Sequence, residues 1–167
     1  GYDFDSFKPE KPEIVSDYLV KNGVPNDADI VGGVFRFVPE KRVELWIEVA
    51  KQVISENDNV YFIAVGHGQG LSEAMGAVKN NGLEDKILFP GRTKDVPSWL
   101  QAFDAFLLTS RIEGLPNVLI EAQSHGVPVV STIAGGSPET FVDGRTGFLS
   151  ENDDSKSIAE AVKLILQ

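Results

Sequence analysis

The feature that most constrains this chain is alternation: short apolar runs exchange places with helical patterns about six times. "DIVGGVFRF" (29–37), "NVYFIAVG" (59–66), "KILFPG" (86–91), "AFLLTS" (105–110), "VPVVSTI" (127–133) and "TGFLS" (146–150) are rich in β-branched and aromatic residues and too short for helices. Between them, "EKRVELWIEVAKQVISE" (40–56), "LSEAMGAVKNN" (71–81), "VPSWLQAF" (96–103), "PNVLIEAQSH" (116–125) and "SPETFVD" (137–143) carry helical spacing. "PEIVSDYLVKNGVP" precedes the first strand and stops at Gly23 and Pro25, and "SKSIAEAVKLILQ" closes the chain. Several strands are apolar on both faces, which requires cover on both sides. The expectation is a doubly wound α/β domain: a parallel six-stranded sheet with helices on each face, Rossmann-like. Pattern alone leaves the strand order open.

A length of 167 residues suits one compact domain. Residues 1–12, with three aromatics among Asp, Ser, Lys and two prolines, read as a linker, and 13–167 as the domain. The sequence begins without an initiator methionine, its one Met being Met75, so a piece of a longer protein is expected. No apolar run approaches the ~20 residues of a membrane span, and "GYDFDSFKPE" lacks the plan of a signal peptide. With no cysteine, disulfides and thiol chemistry are excluded, which suits a reducing cytoplasm. The formal net charge of −10 argues against a nucleic-acid partner. An anionic ligand would have to be held by a few placed cations and backbone amides.

In open α/β sheets ligands bind beyond the carboxyl ends of the strands, so the loops there matter most. After the first strand, Arg36 and Lys41 flank a short turn into a helix. Cations at a helix start are disfavoured unless an anion joins them, and two solvated surface charges remain the plain alternative. After the second strand, Gly66, Gly68 and Gly70 give G-x-G-x-G, which is not the dinucleotide fingerprint. A tight turn explains this loop, His67 included. After the third strand, Gly91 is followed by Arg92 and Lys94, again explicable as an ordinary loop.

The loop after the fourth strand is the most informative. Pro116 suits the first helical position, so Glu113–Gly114–Leu115 lead into the helix at its positive end. Gly114 permits close backbone approach, and the amides of Gly114, Leu115 and Asn117 make a possible anion cradle. Within the helix, Asn117, Glu121 and His125 share one stripe at i,i+4 spacing, among otherwise apolar positions. A helix apolar nearly all round is expected to be buried. Glu121 then either meets a ligand's hydroxyls or caps a neighbouring loop. After the fifth strand, Gly135–Gly136 suits close approach to a ligand or a tight turn. Two distant histidines and no cysteine supply no transition-metal set, and no G-x-S-x-G elbow is present.

Taken together, "FRFVPEKR", "AVGHGQG" and "FPGRTKDVPSWLQAFDAFLLTSRIEGLPNVLIEAQSHGVPVVSTIAGGSPETFVDGRTGFL" resemble the C-terminal, donor-binding domain of family 4 retaining glycosyltransferases, the group 1 glycosyl transferases of two-domain GT-B fold. The opening "GYDFDSFKPE" resembles that family's interdomain linker, and Glu113 to Glu121 matches its paired-glutamate motif.

The resemblance implies a role for each matching residue. Arg36 and Lys41 match the basic pair that holds the donor diphosphate; with Glu113, on hydroxyls of the transferred sugar, they form the implied catalytic set. Gly114, Leu115 and Asn117 match the backbone at the phosphate, Glu121 the carboxylate on the ribose, and Arg92 the neighbourhood of the base. The chain departs from the pattern at Arg42, where many members carry glycine, with little effect expected on the donor site. The implied reaction is transfer of a sugar from a UDP- or GDP-linked donor to an acceptor hydroxyl with retention. No metal or other cofactor is implied. The implied partners are a nucleotide sugar, an absent N-terminal domain, and an acceptor glycan or lipid-linked sugar of polysaccharide or glycolipid synthesis. The implied location is cytoplasmic, with peripheral membrane attachment through the N-terminal domain as one option. This chain alone is expected to bind nucleotide weakly and turn nothing over. Two other readings compete: a nucleotide-sugar epimerase of the same fold, and a non-catalytic nucleotide-binding module. A dehydrogenase half ranks behind them.

Overall fold

The computed structural model describes residues 10–110, 117–132, 147–150 and 154–167. Along these, helices and strands follow in the order α1 (Glu13–Lys21), β1 (Asp29–Val34), α2 (Val43–Glu56), β2 (Val60–Val65), α3 (Leu71–Asn80), β3 (Ile87–Gly91), α4 (Val96–Ala102), β4 (Ala105–Leu108), α5 (Asn117–Ser124), β5 (Val129–Thr132), β6 (Gly147–Ser150) and α6 (Ser155–Leu166). All six expected strands are present. The helix expected over 137–143 lies outside the described residues, as does most of the expected linker.

The six strands form one sheet in the order β3-β2-β1-β4-β5-β6, with every pairing parallel. Parallel neighbours need crossovers, and helices supply those from β1 through to β5. Strand side chains divide by parity between two cores, because successive residues point to opposite faces. On one face Val60, Phe62 and Ala64 of β2 join Ala105 and Leu107 of β4 beneath α2, α3 and α6. On the other, Tyr61, Ile63 and Val65 join Phe106 and Leu108 beneath α1, α4 and α5. This double burial is why the strands read as unbroken apolar runs. Trp46 of α2, fully buried, reaches across its core to donate from Nε1 to the Leu107 carbonyl at 3.1 Å.

Two boundaries differ from expectation by three residues, both at the same edge. The helix expected over 40–56 breaks into a 3-10 turn at Pro39–Lys41 and α2 from Val43. Between them Arg42 adopts left-handed backbone geometry, with φ at 50°. The expected strand 29–37 ends at Val34, because the following backbone leaves the sheet to meet the β2–α3 loop. Both departures lie where β1, at the centre of the sheet, gives way to its loop. The connection order reverses between β1 and β4, so this is also the switch point where α/β sheets open a crevice.

Candidate functional site

The loop after β2 shapes this edge. Gly66 donates to the Gly91 carbonyl at 2.9 Å, Phe35 to that of Val65 at 3.0 Å, and Phe37 to that of His67 at 2.9 Å. Gly70 donates back to the Phe37 carbonyl at 2.9 Å. The loops after β1 and β2 are thus zipped together by main chain. A Cβ on Gly66 would lie 1.9 Å from the Phe35 carbonyl oxygen, and one on Gly68 2.7 Å from Phe37 backbone atoms. The glycines therefore serve close packing between the two loops.

Beside this zipper is a cavity of about 330 Å³, to which Arg36 and Lys41 come from the β1 loop, His67 from the β2 loop, and Arg92 and Thr93 from the β3 loop. Of these, Lys41 is half-buried, while Arg36, His67 and Arg92 are exposed. None of the described residues lining the cavity carries a carboxylate. Asp95 steadies the β3 loop as the N-cap of α4. Its carboxylate accepts from the Ser98 amide at 3.3 Å and the Ser98 hydroxyl at 2.7 Å, while its own amide donates to Thr93 Oγ1 at 2.9 Å. Three cationic side chains share this one small cavity. They do so in a chain whose net charge is −10. A polyanion such as a diphosphate matches that arrangement.

The larger cavity, about 500 Å³, lies between α2 and α3 over Phe37, Val43, Ile47 and Ala74, with Glu44 and Glu73 among its lining residues. Apolar surface beside two carboxylates does not suit an anion. Among the described residues, no group of three His, Cys, Asp or Glu side chains could hold a metal ion.

Of the residues singled out in the sequence, Arg36, Lys41 and Arg92 are brought together. Asn117 begins α5. Glu121, also on α5, is exposed and does not line the 330 Å³ cavity. The expectation that α5 is buried all round does not hold: Leu119 and Ala122 are buried, but Ile120 is 43% exposed. Among the described residues the helix packs on α4 and β5 and leaves Ile120 facing outward. Among the described residues no partner is found for the Glu121 carboxylate, so the structure gives it no loop-capping bond. Glu113, Gly114, Leu115, Gly135 and Gly136 lie outside the described residues.

Two features escaped the sequence reading. His67 lines the cavity, and no local signal marks it out. Arg42 is only 9% exposed. Its Nε donates to the Thr109 carbonyl at 2.8 Å, and its Nη2 reaches that of Ser110 at 3.4 Å. The polar pair ending "AFLLTS" was the available hint.

The fold and the site define a doubly wound domain with a cluster of cations beyond the ends of β1, β2 and β3. Comparison with known proteins gives that class a family: the model for "Glycosyl transferases group 1" matches residues 16–167, and the chain belongs to that family. It is 44% identical over 138 residues to the Vi polysaccharide biosynthesis protein VipC/TviE of Salmonella typhi, covering 82% of this chain and 24% of the relative. The structure resembles that of Anabaena Alr3699/HepE in complex with UDP and glucose, with a TM-score of 0.79 and 28% identity over 100% of this chain and 46% of that one. It also resembles the C-terminal domain of the group 1 family protein LpcC from Francisella tularensis, with a TM-score of 0.77 and 27% identity over 99% of this chain and 88% of that one. The chain spans less than half the length of the curated relatives it matches. Its fold is the Rossmann-like half of a GT-B glycosyltransferase.

Proposed function

We propose that this chain is the donor-binding domain of an enzyme that transfers a sugar, with retention, from a nucleotide diphosphate sugar to an acceptor hydroxyl. The observation that carries the reading is the cavity where Arg36, Lys41 and Arg92 converge beyond the ends of β1, β2 and β3, with no carboxylate among its described lining residues. Arg36 and Lys41 hold the diphosphate, and Arg92 lies towards the base. Glu113 touches the hydroxyls of the transferred sugar, Glu121 those of the ribose. The amides of Gly114, Leu115 and Asn117 meet the phosphates, and Gly135–Gly136 lets the backbone approach the donor.

Catalysis on this reading rests on charge. As the glycosidic bond to the diphosphate breaks, negative charge gathers on the departing oxygen, and preorganised cations oppose it more strongly than they oppose the ground state. The side chains neutralise the diphosphate without a divalent cation. The acceptor pocket belongs to an N-terminal domain, and the acceptor is a glycan or lipid-linked sugar of polysaccharide or glycolipid synthesis. The relation to a polysaccharide biosynthesis protein supports that class. Among the described residues, no helix is long and apolar enough to cross a membrane. We place the enzyme in the cytoplasm, where nucleotide sugars are made.

Calorimetry with UDP and GDP tests this. One of them binds, EDTA leaves the affinity unchanged, and Arg36→Ala weakens it by about tenfold or more. The chain alone transfers no sugar. Failure to bind either nucleotide refutes the donor reading, and rapid transfer by the chain alone refutes the need for a second domain.

A further inference from the structure

Arg42 is the one non-glycine residue with positive φ among the described residues. Backbone strain of this kind persists where surrounding structure over-determines it, and it points from geometry to role. Here the surroundings are a buried polar network. The Arg42 guanidinium holds the Thr109 and Ser110 carbonyls just past the end of β4. The Thr109 hydroxyl turns back onto the carbonyls of Lys41 and Arg42, at 2.9 and 3.2 Å. Thr132, ending β5, donates to the same Ser110 carbonyl at 2.8 Å. Thr109, Ser110 and Thr132 are all essentially inaccessible to solvent.

Against the sequence-based expectation that Arg42 has little effect on the donor site, we propose that it is a positioning residue for the diphosphate end of the site: its guanidinium clamps the turn that carries Lys41 onto the strand end that leads to Glu113. The clamp deepens the donor-binding reading and rests on it. Ser110 is three residues before Glu113. Fixing the turn and the end of β4 to one another therefore fixes where the cation and the glutamate segment start. The planar fork of arginine suits two carbonyls at once, which a lysine ammonium on its flexible stem does not reproduce. Loss of the fork takes a donor from the buried Thr109 carbonyl and leaves the Ser110 carbonyl to Thr132.

Arg42→Gly is the informative variant, because glycine keeps the left-handed geometry without steric cost and removes only the side chain. Calorimetry on the whole chain with UDP and GDP, beside uridine and guanosine, reads the ligand side. Hydrogen exchange over residues 38–45 reads the turn without any ligand. The diphosphate that binds wild type loses about tenfold in affinity in Arg42→Gly, while its nucleoside changes by less than about twofold. Arg42→Lys falls between wild type and Arg42→Gly. The double variant Lys41→Ala/Arg42→Gly loses less than the sum of the two single losses, since Arg42 acts largely through Lys41. Exchange over 38–45 accelerates in Arg42→Gly.

Unchanged diphosphate affinity, equal losses for diphosphate and nucleoside, or fully additive effects with Lys41→Ala overturn the proposal. A chain that binds neither UDP nor GDP sinks the donor reading instead. The clamp is then decided by exchange alone, which overturns it if the rates over 38–45 do not change.

Discussion

Glu121 carries a charge on a helix whose neighbours are Leu119, Ile120 and Ala122, yet it faces solvent. Its carboxylate therefore bears no burial cost in this domain and is available to a ligand. Glu121→Ala leaves thermal stability within about 0.5 kcal/mol of wild type and weakens nucleotide binding about ten- to a hundredfold. The proposed contact to the ribose is tested with the 2′-deoxynucleotide. It binds wild type more weakly than the ribonucleotide does, and the Glu121→Ala variant does not distinguish the two. Gly66 acts through the backbone instead. With φ at 139° and no room for a Cβ against the Phe35 carbonyl, Gly66→Ala costs more than about 2 kcal/mol. Calorimetric melting then falls by at least about 4 °C.

At the scale of elements, local chemistry decides where helices begin. Asp154 precedes α6 and accepts from the Ser157 amide at 2.8 Å and the Ser157 hydroxyl at 3.0 Å. These bonds, that from the backbone amide foremost, hold its pKa below the ordinary carboxylate value. A lowered folded-state pKa means the cap stabilises above the unfolded value and is lost as pH falls through the folded one. Asp154→Ala therefore melts below wild type at neutral pH, and the gap closes as pH falls below about 4. A gap that widened in acid would contradict the cap. Strand and helix positions were legible in the sequence to within a few residues, because period and turn residues carry them. The break at Arg42 was not, since a left-handed arginine is stabilised by carbonyls 67 and 68 residues away. The exposure of α5 was also illegible. Apolar or small residues at 118, 119, 120 and 122 imply an enclosed helix, but α5 leaves Ile120 facing outward.

At the scale of the whole molecule the sheet divides two apolar cores and couples them. Trp46 is buried on one side while its indole bonds a carbonyl of β4, a strand whose alternate side chains fill the other core. Trp46→Ala costs about 3–5 kcal/mol. Melting falls by roughly 6–20 °C. Both faces melt together, so near-ultraviolet dichroism and tyrosine fluorescence give one midpoint. Two separate transitions would show that the faces fold independently.

The residues alone determined the class of the chain. Six strand patterns apolar on both faces demand a parallel sheet covered on each side, and the spacing of loop motifs already resembled one family. Those signals are local, written within a few turns or a single loop. Tertiary structure alone decided the strand order, and with it the position of the switch point between β1 and β4. It decided which cations share a cavity: Arg36, Lys41 and Arg92 are up to 56 residues apart in sequence and converge only because β1, β2 and β3 lie side by side. It also decided the partners of Arg42. Convergence of this kind is set by packing across the sheet, to which no local pattern in the chain is sensitive.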